Sequence, residues 1–328
     1  MGALKKDGLL RTCYRDKLRT FRLTNRAKTY LLTDRPERFS FYLQGVSDTN
    51  RPKSEITRRL RLCRIAETCV TMQNSGIAVF RDEKPMVFAP EGSPVSPLEA
   101  PAFYTSREIK ELGVETVKIR GARMVGVLLA PSGVFLTYNN GTSIAKWDYR
   151  AELRAKALMK IVICQQRLSR QYRPDAVYGL LIGDGMEPAC ELLTNADSGT
   201  RCYFLLDGNY DHFHYLTNDH QGEVILKLLC DSDKTAVLDR ILMQGLNAKK
   251  PGWPIENDAI DKDGNPVLFA YSFDMPRIVR FVTALQLQSR SGTLVCCDFQ
   301  VETLRRYCGG QVNFQSISLE KLEGRFFS

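Results

Sequence analysis

The chain has 328 residues, 44% hydrophobic and 25% charged, which is the composition of a globular protein with a sizeable core. It has no apolar run of the roughly 18–20 residues that a membrane-spanning helix needs, so we expect no membrane partner. The first residues lack the apolar stretch of a secretory signal, and ten cysteines are too few for a disulfide scaffold. Together these features predict a cytoplasmic protein.

Positive charge is concentrated at the start of the chain. Residues 1–64 hold 17 Lys and Arg against 6 Asp and Glu, whereas the remaining residues hold 29 against 31. A basic segment of this kind repels itself unless an anion neutralises it, and nucleic-acid phosphates are the commonest such anion. We therefore predict a nucleic-acid partner, with double-stranded DNA as the expected target. A solvated basic arm and an anionic membrane surface are the alternatives.

The first 32 residues predict a helix end, a hairpin and a second helix. The first helix should end near Gly8, a residue type common at helix C-termini. The alternating stretches 9–15 and 18–24 then predict two paired strands. Thr24 or Asn25 is the expected N-cap of the helix that follows. Residues 34–54 predict a polar connection.

Residues 55–74 predict the clearest helix of the chain. Arg58, Arg61 and Arg64 follow one another at three-residue steps, so they could reach one phosphate track. A solvated helix face with carboxylate partners in the same chain is the alternative. The expected apolar face of this helix comprises Leu62, Ile65, Ala66, Cys69, Val70 and Met72.

The basic residues of the hairpin and of this helix are the predicted nucleic-acid contacts. They are Lys5, Lys6, Arg11, Arg15, Lys17, Arg19, Arg22, Arg26, Arg58, Arg59, Arg61 and Arg64. Tyr14 and Phe21 interleave with the basic hairpin residues. We expect these two rings to pack the hairpin onto its helix rather than to stack on bases.

Five prolines in residues 85–101 predict a linker between two domains. We therefore expect a basic N-terminal segment with a connecting helix over 1–84, the linker over 85–101, and a larger domain over 102–328. Strands and helices alternate in the larger part, which predicts an α/β domain in a chain that is α+β overall. Within it, Asn-Asn-Gly at 139–141 predicts a hairpin turn and residues 200–207 predict a strand.

The stretch "KKDGLLRTCYRDKLRTFRLTNRAKTYLL" resembles the wing and trailing helix of a winged-helix fold. With "KWDYRAELR", "YRPDAVYGLLIG" and the α/β pattern, the chain resembles the replication-relaxation family of bacterial mobile elements. That resemblance implies a winged helix beside a restriction-endonuclease-like domain, and DNA binding in plasmid replication, mobilisation or their regulation. The two preceding helices of a winged helix would lie before Met1, so upstream sequence or a partner chain would supply them, unless the hairpin is an ordinary one.

The resemblance also implies where a nuclease-like core would hold a divalent metal. Glu152 and Asp175 match its helical glutamate and its strand aspartate. Glu191 and Asp207 lack the following lysine that would stabilise charge at the scissile phosphate. We therefore expect a non-cleaving domain without a cofactor, able to form a homodimer or bind a partner protein. The alternatives are a magnesium-dependent nuclease using Glu152 and Asp175, and a protein-interaction module or inhibitor of a nucleic-acid enzyme.

All three histidines lie close together, at His212, His214 and His220. A His-x-His pair on a strand places both imidazoles on one face, where they can bind zinc or iron. Asp211 or Asp219 could complete such a site. A histidine-rich polar strand edge is the alternative that the short pattern favours.

Overall fold

The computed structural model describes residues 2–15, 17–43, 55–90, 95–143, 149–194, 209–249 and 252–327. Contacts divide the chain into two compact units. The smaller comprises Met1–Cys63 and Phe80–Pro85, and the larger comprises Arg64–Val79 and Met86–Ser328. The chain therefore passes between the units three times: inside the helix predicted over 55–74, between Val79 and Phe80, and between Pro85 and Met86 at the start of the Pro-rich segment.

The smaller unit begins with the predicted helix, hairpin and helix. Gly8 ends the first helix with a φ of +69°, which glycine adopts without the steric cost that a Cβ imposes. The hydroxyl oxygen of Thr24 accepts the N–H of Ala27 at 3.2 Å, so Thr24 is the N-cap of the second helix. The elements are α1 (Gly2–Lys6), β1 (Leu10–Arg15), β2 (Leu18–Leu23), α2 (Asn25–Asp34), α3 (Pro36–Leu43) and the start of α4 (Ile56–Asn74).

Helix α3 was not predicted, because its residues read as part of a polar connection. Pro36 at its first position and Glu37 in its first turn favour a helix start. Arg38 then pairs with Asp82 at 2.9 Å and with Glu83 at 2.7 Å within the same unit. The rest of the predicted connection, residues 44–54, lies outside the described residues.

The larger unit contains two five-stranded sheets. The first has the order β3-β4-β5-β6-β7, antiparallel from β3 to β5 and parallel from β5 to β7. The second has the order β12-β11-β10-β9-β8, with β10, β11 and β12 parallel. The strands are β3 (Ala102–Thr105), β4 (Gly126–Ala130), β5 (Gly133–Gly141), β6 (Val177–Gly183), β7 (Phe213–Thr217), β8 (Asn247–Ala248), β9 (Ala259–Ile260), β10 (Pro266–Phe269), β11 (Gly292–Cys297) and β12 (Val312–Ile317).

Helices alternate with these strands, which confirms the α/β class. The helices are α5 (Ser106–Ile109), α6 (Tyr149–Met159), α7 (Glu187–Thr194), α8 (His220–Leu229), α9 (Ser232–Leu242), α10 (Met275–Leu287), α11 (Val301–Cys308) and α12 (Leu319–Phe326). A 3-10 segment, Lys110–Ile119, follows α5, and a π-helical segment, Lys160–Arg167, continues α6. No helix among the described residues has the length and apolar character needed to cross a bilayer.

The second half of α4 packs in the larger unit through a face that agrees only in part with the predicted one. Met72 is buried, as predicted, but Val70 is 56% exposed, and Thr68 and Thr71 are buried instead. The Thr71 hydroxyl donates to Oδ1 of Asn218 at 2.9 Å, and the side-chain amide of Asn139 donates to Oγ1 of Thr68 at 3.1 Å. Buried polar residues are tolerated here because each finds a hydrogen-bond partner beyond the helix.

Two further predictions need correction. Residues 86–90 of the expected linker are packed in the larger unit: Val87 and Phe88 are buried, and the Phe88 ring lies 5.2 Å from that of Tyr104. Residues 139–141 form no hairpin turn but end β5, which pairs in parallel with β6 and is connected to it through α6. The predicted strand at 200–207 lies outside the described residues.

Candidate nucleic-acid interface

The register of β1 and β2 sorts the basic hairpin into two faces. Residues directly opposite each other in an antiparallel pair point to the same side. One face carries the pairs Arg11–Arg22 and Cys13–Thr20. The other carries the pairs Leu10–Leu23, Thr12–Phe21 and Tyr14–Arg19. We call these the arginine face and the aromatic face of the hairpin.

The arginine face places two like charges together. The Cα atoms of a directly opposed pair are about 4.5–5.5 Å apart, so the guanidinium groups of Arg11 and Arg22 project from neighbouring points. Arg11 is exposed and Arg22 is half-buried. Like charges directly opposite each other destabilise a hairpin unless an anion lies between or beside them.

The hairpin charges have no compensating carboxylate among the described residues. This holds for six of the predicted contacts, Lys5, Lys6, Arg11, Lys17, Arg19 and Arg22. By contrast, Arg277 of the larger unit lies 2.7 Å from Glu256 and 2.8 Å from Asp258. The hairpin and α1 therefore bring several uncompensated positive charges together in a short stretch of the chain.

The aromatic face is exposed to solvent, which differs from the packing role predicted for its rings. Tyr14 is 70% exposed and Phe21 is 39% exposed. Cations lie over both rings: Arg19 is 6.0 Å from the Tyr14 centroid and 5.4 Å from that of Phe21, and Lys5 is 4.5 Å from that of Phe21. Such pairs hold cationic side chains beside an open ring surface.

The base of the hairpin is fixed to its flanking helices. The Thr24 hydroxyl donates to the carbonyl of Gly8 at 2.7 Å, and the Thr24 N–H donates to the carbonyl of Leu9 at 3.0 Å. Arg26 donates to the Asp7 carbonyl at 3.5 Å. The strands therefore project from a defined base. The side chain of Arg15, near the turn, lies outside the described part of the chain, and so does Asp16.

The arginines of α4 differ in their surroundings. Arg58 is exposed and pairs with Glu55 at 3.1 Å, Arg61 is exposed, and Arg59 is buried and so faces away from solvent. Arg64 belongs to the larger unit, where Asn139 donates to its carbonyl.

The surroundings of Arg64 are acidic. Burial and the charge of Asp184 raise the pKa of Glu67, and the charge of Arg64 acts in the opposite direction. Gly141 lies between two of these groups, because a Cβ placed on it would meet Oδ2 of Asp184 at 3.2 Å and Nε of Arg64 at 3.5 Å. Arg64 therefore has carboxylates nearby, in contrast to Arg11 and Arg22 of the hairpin.

Glu152 and Asp175, the predicted metal-binding carboxylates, have different environments. Glu152 is buried; its carboxylate accepts the N–H of Arg123 at 2.6 Å and the hydroxyl of Tyr138 at 3.0 Å. Asp175 is exposed and pairs with Arg173 at 2.9 Å.

These two carboxylates also approach different ends of one strand. Tyr138, which bonds Glu152, lies opposite Leu181, whereas Asp175 precedes Val177 at the start of β6. Four residues of strand rise about 13 Å. The structure therefore does not bring the predicted pair together.

His212, which precedes β7, and His214, which lies within it, have stacked rings, and their Nδ1 atoms point to the segment between β10 and α10. His212 Nδ1 donates to Oδ2 of Asp274 at 2.6 Å, and His214 Nδ1 lies 3.1 Å from the Ser272 carbonyl. Burial lowers the pKa of His214, although the negative charge of Asp274 acts to raise it. His220 is apart from this pair and bonds Glu323 at 2.8 Å.

The histidine rings do not form a metal site in this arrangement. Their centroids are 6.5 Å apart, whereas two imidazoles on one tetrahedral zinc are about 5 Å apart, because each Zn–N bond is about 2.0–2.1 Å. No cluster of three or more His, Cys, Asp or Glu suited to a metal occurs among the described residues.

Asp274 is the partner of His212, and the sequence does not reveal this role, because an aspartate just before a helix is expected to be its N-cap. Its carboxylate makes no cap bond to α10 and accepts instead from His212 and from the N–H of Phe213 at 3.1 Å. Burial disfavours its charge, but His214, His212 and the Phe213 N–H outweigh burial and lower the pKa of Asp274. Phe273 beside it has a φ of +48°, a rare and strained value for a bulky residue.

Comparison of the chain with protein-family models, with curated proteins and with solved structures finds no match. Among the described residues, the hairpin combines exposure, uncompensated positive charge and a defined geometry, whereas the paired carboxylates and histidines do not.

Proposed function

We propose that this protein binds nucleic acid, and duplex DNA in particular, through the basic hairpin of its smaller unit. The observation that carries the proposal is the direct opposition of Arg11 and Arg22 on a surface without a described carboxylate partner. A phosphate placed against this pair would turn a repulsion into two attractive contacts, because arginine donates in a fork that suits phosphate oxygens.

The charge distribution of the whole chain supports the same proposal. The smaller unit contains the basic excess, and the rest of the chain is close to neutral. Binding that depends on such a patch is driven largely by the release of counterions from phosphates and is therefore steeply dependent on salt. The resemblance to the replication-relaxation family suggests a place for this binding in plasmid or mobile-element replication, mobilisation or their regulation.

The proposal is tested by measuring duplex affinity against salt concentration for the wild type and for the Arg11→Ala, Lys17→Ala, Arg22→Ala triple variant. The logarithmic salt slope should flatten by about 2–3, since each lost phosphate contact removes about 0.9. A control triple variant, Arg173→Ala, Lys262→Ala, Arg325→Ala, removes the same charge from the larger unit.

The control should leave the slope of the wild type nearly unchanged if the hairpin is the binding surface. Equal effects of the two triple variants would instead indicate binding governed by net charge alone. Absence of measurable duplex binding by the wild type at low salt would overturn the proposal.

A further inference from the structure

The aromatic face of the hairpin differs chemically from the arginine face and requires its own explanation. Tyr14 lies next to the turn and is 70% exposed, although a tyrosine that packed the hairpin onto a helix would be buried. Its cross-strand partner is Arg19, whose guanidinium lies 6.0 Å from the ring centroid. An exposed ring beside an exposed cation presents a flat apolar surface and a phosphate-binding group at one place.

We propose that the aromatic face binds single-stranded DNA, with an unpaired base stacked on Tyr14 and the adjacent phosphates held by Arg19 and Lys5. This inference rests on the proposed function and names the form of the nucleic acid that this face recognises. Base stacking on aromatic side chains, combined with cations along the backbone, is the general chemistry of single-strand binding.

The position of Tyr14 argues against a duplex as its partner. Base faces inside a duplex are covered by their neighbours, so a protruding ring can stack only where bases are unpaired or where a duplex ends. Phe21, by contrast, has both Lys5 and Arg19 over its ring, at 4.5 and 5.4 Å, and is less exposed, whereas Arg19 lies 6.0 Å from the Tyr14 centroid. We therefore assign the stacking surface to Tyr14, and Phe21 positions the two cations.

The two faces of the hairpin then have separate roles. The arginine face takes phosphates irrespective of pairing, whereas the aromatic face discriminates in favour of unpaired bases. Both faces belong to the same two strands, so a junction between duplex and single strand suits them best. Tyr30, which is 62% exposed on α2, provides a matched control because it is an exposed tyrosine outside the hairpin.

The experiment compares the full chain and its Tyr14→Ala, Tyr14→Phe and Tyr30→Ala variants by fluorescence anisotropy. The probes are a labelled 20-nucleotide single strand and a dumbbell duplex whose ends are closed by loops too short to bind. Tyr14→Ala should weaken single-strand binding roughly 5- to 150-fold, the range for loss of one base stack. Tyr14→Phe keeps the ring and should bind like the wild type, as should Tyr30→Ala.

Duplex affinity should be the same for all four proteins, because the arginine face is intact in each. Substitution of an exposed tyrosine should change the free energy of unfolding by less than about 0.5 kcal/mol, and a thermal melt checks this. Quenching of 2-aminopurine in the single strand, lost in Tyr14→Ala and kept in Tyr14→Phe, would identify stacking directly.

Two results would overturn the inference while leaving the proposed function standing: no loss of single-strand affinity in Tyr14→Ala, or an equal loss for both probes. Failure of the wild type to bind either probe would overturn the proposed function itself, and the inference with it.

Discussion

Arg11 lies directly opposite Arg22 across the two strands of the hairpin, and neither has a described carboxylate partner. Opposed like charges destabilise a strand pair, so they lower the free energy of unfolding of the unbound protein. The hairpin is nevertheless formed, because Thr24 ties its base to Gly8 and Leu9. Repulsion retained in the unbound protein is expected where an anion later relieves it.

Arg11→Gln should therefore stabilise the unbound protein and weaken its binding to DNA. We expect a gain of about 0.2–1 kcal/mol in the free energy of unfolding at low salt, since one of the two opposed charges is removed. The salt slope of duplex binding should fall by about 0.9. Chemical denaturation and a salt titration of affinity measure the two effects.

Arg38→Gln is the matched control for this prediction. Arg38 pairs with Asp82 and Glu83 in the same unit, so its removal should lower stability and leave the salt slope unchanged. A loss of stability in Arg11→Gln would show that the opposed arginines do not repel each other.

Glu152→Gln and Asp175→Asn should have unequal effects on stability. Glu152 accepts two hydrogen bonds in a buried site, so an amide there leaves a donor or acceptor unmatched and costs about 1–3 kcal/mol. Asp175 is exposed with its partner Arg173, so its loss should cost less than about 1 kcal/mol. Urea denaturation of both variants checks the difference.

The same two variants test the nuclease alternative. A catalytic pair would lose magnesium-dependent cleavage of a plasmid equally in both variants, with folding intact in each. If the wild type cleaves and both variants lose cleavage without loss of stability, the nuclease alternative is supported. The two carboxylates would then act together despite their separation along β6.

Asp274→Asn should lower stability at neutral pH and have less effect in acid. The pKa of the Asp274 carboxyl is lowered in the folded protein, so its contribution is fully present above the unfolded value of about 3.9. That contribution is lost as the pH falls through the lower folded value. The gap in urea midpoint between the wild type and Asp274→Asn should therefore narrow below about pH 4.

Asp263→Asn provides the comparison, because Asp263 is exposed in a turn. Its urea midpoint should follow that of the wild type across the same pH range. A gap for Asp274→Asn that widened toward low pH would mean that its carboxyl is protonated in the folded state.

Met72→Ala and Val70→Ala should have unequal effects on stability, although both residues belong to the predicted apolar face of α4. Met72 is fully buried, so truncation should cost about 2–5 kcal/mol through the cavity that it leaves. Val70 is more than half exposed, and its truncation should cost less than about 1 kcal/mol. Equal costs measured by thermal unfolding would contradict the observed burial.

The local features of this protein follow from short stretches of its sequence. Gly8, the alternation of residues 9–24 and Thr24 predicted the helix end, hairpin and helix correctly, because glycine, strand periodicity and a capping hydroxyl act over a few residues. The uneven distribution of Lys and Arg likewise needs no fold to be seen. Alternating strands and helices were enough to predict the α/β class.

Which side chains are buried, opposed or brought together depends instead on partners that are distant in the chain. Thr71 is buried because Asn218, 147 residues away, accepts its hydrogen bond, and no local pattern contains that partner. The Asp274 carboxylate likewise bonds His212, which is distant in the sequence, instead of capping α10. The exposure of Tyr14 is also a property of the folded hairpin that the alternation of residues 9–24 does not contain.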